Sequence, residues 1–123
     1  PLSLHDALPI LSEYAVALLN RPDFPDALDG LAWILSTDAN PDFRNGTEAV
    51  KMAERACALT GRQDPMKLKT LAAAYAETGR FAEAINTIQT AKDLAAKSNH
   101  PELANECSRM LEHFQHSNSW RDL

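Results

Sequence analysis

The chain has 123 residues, 45% of them apolar and 24% charged, the balance of a single globular domain with a continuous but thin core. Its formal net charge is −5, with 12 basic residues scattered among 17 acids, which argues against nucleic-acid binding. No run of 18 apolar residues is present, so nothing in the sequence reads as a membrane-spanning helix.

The first helix is expected from about Leu4 to Leu19, with Pro9 inside it and Ile10, Tyr14 and Ala17 on its apolar side. Asn20-Arg21-Pro22-Asp23 breaks it. The second runs from about Pro25 to Ser36, since a proline suits the first turn of a helix. Its Leu28, Leu31, Ala32 and Leu35 share one face. A polar loop covers residues 37–44. There Phe43 reads better as folded back on the next helix than as an exposed contact.

The third helix begins near Asn45, with Glu48 completing a capping box, and stops at Thr60-Gly61. Asn45-Gly46-Thr47 also fits a glycosylation sequon, but capping explains it. The fourth opens at Asp64-Pro65 and ends at Gly79, and the fifth spans Phe81 to about Lys97. The sixth, roughly Glu102 to His116, carries Leu103, Cys107, Met110, Leu111 and Phe114 on one side. Residues 117–123 read as frayed, with Trp120 the one residue that could be pinned down.

Cys57 and Cys107 lack any metal-ligand spacing and read as small buried helix residues. They report no redox compartment; the cytoplasm is favoured. No signal peptide is visible, and a start at Pro1 without methionine reads as a fragment or processed product.

The helices repeat. Leu28, Leu31, Ala32 and Leu35 recur forty residues later as Leu68, Leu71, Ala72 and Tyr75. Ala49, Ala53 and Ala56 recur thirty-five residues later as Ala84, Ile88 and Ala91. Helical spacing inside a repeat of this length predicts stacked helix-turn-helix units. The five-residue difference between the offsets falls within residues 37–46 as an insertion that replaces a glycine turn.

The order Leu68, Leu71, Ala72, Tyr75, Gly79, Phe81, Ala84, Ile88 and Ala91 resembles the tetratricopeptide repeat. The proline that often closes that repeat is absent, with Ala96 near its place. Leu31-Ala32-Trp33 and the run from Leu71 to Glu77 look like bacterial members in particular. The resemblance implies an all-α fold of antiparallel helix-turn-helix repeats stacked as a short right-handed superhelix. Residues 1–24 would be the second helix of a truncated preceding repeat, 25–61 a variant repeat, 64–97 a repeat, and 100–116 a capping helix.

In that family the first helix of each pair lines a concave groove. Here that face would carry Asp26, Asp29, Trp33, Ser36 and Thr37, and then Met66, Lys69, Thr70, Ala73 and Glu77. Trp33 is the candidate aromatic anchor, against the blander reading of packing on helix one or the inserted loop. Some members clamp a terminal carboxylate with basic groove residues. The corresponding places hold Asp29, Trp33 and Thr70, so a basic or mixed-charge peptide fits better.

No catalytic motif, cofactor site or metal site is expected. His113 and His116 lie one turn apart beside Glu112 and read as surface histidines. The functional expectation is a non-catalytic module that binds a protein or peptide. The alternatives are an accessory or substrate-recruiting domain of a larger glycosyltransferase or kinase, or a self-assembly element that associates through helix one.

Overall fold

The computed structural model describes residues 13–122. The expected start of helix one, with Pro9 and Ile10, lies outside the described residues. Six α-helices occur among the described residues: α1 over residues 13–20, α2 (Pro25–Thr37), α3 (Gly46–Leu59), α4 (Pro65–Glu77), α5 (Phe81–Lys97) and α6 (Pro101–Gln115). Prolines open α2, α4 and α6, where the missing N–H would have had no partner in the helix. Asp64 caps α4 by accepting from the Met66 N–H at 3.0 Å.

Consecutive helices from α2 to α6 pack against one another, and so do α2 with α4 and α4 with α6. The result is two layers, α2, α4 and α6 in one and α3 and α5 in the other. The core runs between them. Ala32, Ala49, Ala53, Leu71, Ala72, Ala84, Ile88, Ala91, Cys107 and Met110 are all fully enclosed. Ala72 and Ala84 face a seam where any larger side chain would force α4 and α5 apart. Leu28 and Leu68 are buried at equivalent places, whereas Leu31 and Leu35 are only partly covered. Cys57 and Cys107 are free thiols inside the core.

Four helices end in the same way. After α3, α4, α5 and α6, the N–H groups of the second and third residues past the end bond back to Ala58 and Cys57, Ala76 and Tyr75, Ala96 and Ala95, and Phe114 and His113. This six-to-one closure turns on a residue of positive φ: Gly61 at +66°, Gly79 at +80°, Asn99 at +60° and Ser117 at +57°.

α2 ends differently. Its cap, Asp38, is extended at φ −60° and ψ 138°, and no glycine follows it before α3. The loop makes one 3-10 turn, Pro41–Phe43, which Asn40 caps. Phe43 is buried and so is no exposed contact. The expected capping box at α3 is only half made. The Asn45 side chain accepts from Glu48 N–H at 3.2 Å, but the Asn45 N–H goes to Leu35 O at 2.8 Å instead of to the Glu48 side chain.

The C-terminal segment departs from the expectation of fraying. It folds back across the ends of α4 and α2. The Ser119 hydroxyl donates to Ala76 O, and the Asp122 N–H donates to Thr37 O at 2.9 Å, pairing Asp122 with Asp38 as an isolated parallel bridge. Trp120 packs on the core and meets His113 edge-on, with ring centroids 4.9 Å apart.

Candidate functional site

The ten candidate groove residues all lie on α2 and α4, the neighbouring helices of one layer. Their environments diverge. Asp26 and Met66 are exposed, while Asp29 and Trp33 are half-buried. Lys69, Thr70, Ala73, Ser36 and Thr37 are buried.

The two hydroxyls at the end of α2 are closed onto their own helix. Ser36 donates to Ala32 O and Thr37 to Trp33 O, both at 2.7 Å. Their backbone carbonyls are covered by the C-terminal segment, with Arg121 at Ser36 O and Asp122 at Thr37 O. Glu77 lies beneath two arginines. Arg44 Nε from the inserted loop stands 3.1 Å from Oε1, and Arg121 Nη1 stands 2.9 Å from Oε2 as an ion contact. Arg44 also donates to Asp38 O at 2.8 Å, so Glu77 ties the loop and the C-terminal segment to α4.

Trp33 sits between two charges. Lys69 Nζ stands 4.4 Å above its ring, a cation over an aromatic face. Its indole N–H donates to Asp122 Oδ2 at 3.1 Å. Lys69 also reaches Glu106 Oε1 at 2.7 Å, which links α2, α4 and α6 through one ammonium. Lys67 is engaged as well, with Asp26 and with Asp64.

Beside Trp33 a cavity of about 320 Å³ opens between α2 and α4, lined by Tyr14, Asp29, Gly30, Trp33, Met66, Lys69 and Thr70 among others. Tyr14 of α1 leans on Gly30, and a larger residue there would have to push the tyrosine ring aside. A Cβ at Gly30 would fall 2.3 Å from the Tyr14 Cζ. Asp29 Oδ1 is buried and has no hydrogen-bond partner. Burial pushes the Asp29 carboxyl above the ordinary range, opposed by the Thr70 hydroxyl and by Lys67 and Lys69, while Asp64 adds to the rise. The buried oxygen is an acceptor without a donor.

A larger cavity, about 810 Å³, lies at the starts of α4 and α6 and is lined by Asp64, Met66, Ser98, His100 and Leu103 among others. Asp64 is engaged with the Met66 N–H and Lys67, His100 with Ser98, and no lining polar side-chain atom is both buried and without a partner. The smaller cavity therefore has the stronger claim to a ligand. Among the described residues the other histidines are engaged, His113 against Trp120 and His116 Nδ1 at Glu112 O. Among the described residues no three potential metal ligands cluster, and no helix is long and apolar enough to cross a membrane.

Helical spacing indicated the α2/α4 face but gave no sign that residues 119–122 would cover part of it. The tail carries Trp120, Arg121 and Asp122, one aromatic and two opposite charges, and that mixture was the only available signal. Comparison with known protein families, with curated proteins and with solved structures gives no match for this chain.

Proposed function

We propose that this chain is a non-catalytic interaction domain of tetratricopeptide-like hairpins, wound as a short right-handed superhelix, that takes a peptide bearing a basic group on its α2/α4 face. Three features support the reading. The sequence repeat coincides with the hairpins α2–α3 and α4–α5. Equivalent helices α2, α4 and α6 lie side by side in one layer, as stacked repeats require. The observation that carries the ligand assignment is Asp29, which lines a cavity walled by Trp33 and Met66 and has a buried carboxylate oxygen with no partner. An unpaired buried acceptor costs stability, and a ligand ammonium or guanidinium would recover it. The cavity is apolar on one side with a few convergent polar groups, the usual make-up of a binding site.

The test titrates short capped peptides with a central lysine, arginine or norleucine into isotopically labelled chain. Lysine and arginine peptides should shift the Trp33 indole N–H and the Asp29 amide, and Asp29→Asn should weaken them about tenfold or more. Equal binding of the norleucine peptide, or shifts confined to α3 and α5, would sink the assignment.

Self-association is the second reading, favoured by Val16 and Leu19 of α1, which are 56% and 82% exposed. Light scattering over a concentration series decides it. A mass that stays at one chain up to high concentration removes it.

A further inference from the structure

The C-terminus of α2 is the one, among α2 to α6, that lacks the six-to-one closure, with only the Asp38 N–H returning to Ile34 O. Its last carbonyls are satisfied from outside: Leu35 O by the Asn45 N–H, Ser36 O by Arg121 and Thr37 O by the Asp122 N–H. Two of those three partners come from the C-terminal segment, some 85 residues away in sequence. The bond to Thr37 O is a main-chain one, and Asp38 and Asp122 form an isolated parallel bridge. The side chains add selectivity. Arg121 enters the acid site at Glu77, and Asp122 accepts from the Trp33 indole. The segment thus meets this surface through one main-chain bond and three successive side chains, Trp120, Arg121 and Asp122.

We propose that the C-terminal ends of α2 and α4 form a docking surface for an extended peptide reading aromatic, arginine, acid, and that residues Ser119–Asp122 occupy it in cis. The inference rests on the reading of the α2/α4 face as a peptide-binding surface and adds both the partner's chemistry and its regulation. The occupant itself specifies the chemistry. The acid site at Glu77 is shared with Arg44, and a planar guanidinium stacks into such a site where an ammonium would not. The Trp33 N–H calls for an acceptor one residue further on. A tethered occupant competes at an effective concentration in the millimolar range, so a free peptide of the same sequence binds weakly until the tether is released.

The experiment uses the full chain. The probe is a fluorescein-labelled peptide with the sequence of residues 117–123, followed by anisotropy. Two variants release the strap independently. Asp122→Pro removes the N–H given to Thr37 and the carboxylate at Trp33 while leaving Trp120 on the core. Trp120→Ala with Arg121→Ala removes the side-chain anchors. Both are checked for native helicity first.

Either released variant should bind the probe at least tenfold more tightly than the unaltered chain, and adding Glu77→Gln should reverse most of that gain. A probe with lysine in place of the arginine should also bind less tightly. Folded released variants that ignore the probe, or bind it no better than the unaltered chain, overturn the proposal. The central-lysine peptide run on the same variants separates the two readings. If it binds through Asp29 while the strap probe does not, only the strap proposal falls. If neither binds, the reading of the whole face falls with it.

Discussion

Asp29→Asn should make the protein more stable, an unusual direction for a substitution at a half-buried position. The folded state holds this carboxyl above its ordinary range because burial penalises the charge. A carboxyl whose folded pKa is raised is most favourable below its unfolded pKa, about 4. That contribution is lost as pH rises through the folded value. At neutral pH the charged Asp29 therefore costs stability, and the Thr70 hydroxyl, Lys67 and Lys69 only partly offset the cost. Asparagine removes the buried charge and keeps the shape of the side chain. One unpaired buried polar group costs about 1–3 kcal/mol, and the nearby lysines place Asp29 at the low end, about 1 kcal/mol. For a domain of this size that is a rise in Tm of about 4 °C.

Thermal unfolding followed by circular dichroism at pH 7.5 and pH 4 measures it. The other carboxylates titrate alike in both proteins, so the difference between variant and parent isolates Asp29. The gain should be full at pH 7.5 and shrink toward pH 4. A variant less stable at pH 7.5, or a gain independent of pH, would refute the assignment of Asp29 as a destabilising buried acid.

Leu71 is fully enclosed, so Leu71→Ala should cost about 3–4 kcal/mol through lost burial and the cavity left behind, measured by urea unfolding. Cys57 and Cys107 have thiols pushed up to about 11 by burial, so at pH 8 neither should react with Ellman's reagent on the minute scale until denaturant is added. Glu77→Gln strips the shared partner from Arg44 and Arg121. Because all three groups are partly exposed, the loss should be about 1–2 kcal/mol and should narrow in 1 M salt.

The helices were legible because their local signals agree. Proline at the first turn and Asp64 as a cap set the start of α4, and Gly79 set its end. The alternation of leucine and alanine assigned Leu71, Ala72, Ala84 and Ile88 to the core correctly, since burial on a helix follows its period. The fate of the groove face was less legible. Periodicity turns Ser36 and Thr37 away from the α3 side, but it does not say what lies on the other side. What lies there is a segment near the other end of the chain, and no local pattern reports a contact of that range. Asp29 lines the cavity between α2 and α4, yet its missing partner depends on where Lys67 and Lys69 spend their charge. Lys67 turns to Asp26 and Asp64, and Lys69 to Glu106 and Trp33.

One departure in the sequence accounts for most of this surface. An ordinary glycine turn after α2 would have closed its carbonyls as Gly61 and Gly79 close those of α3 and α4. The insertion replaces that turn with an extended cap and a 3-10 loop, and so leaves Ser36 O and Thr37 O open. The same loop delivers Arg44 to Glu77, which partly neutralises the acid and preorganises it for a second guanidinium. An insertion that costs little as loop entropy thereby creates a strand-accepting edge in an otherwise self-closed helical stack. Deleting residues 39–43 and rebuilding a glycine turn should close that edge. The strap would then lose its bonds to α2, and the Trp33 indole resonance would move to its position in Asp122→Pro.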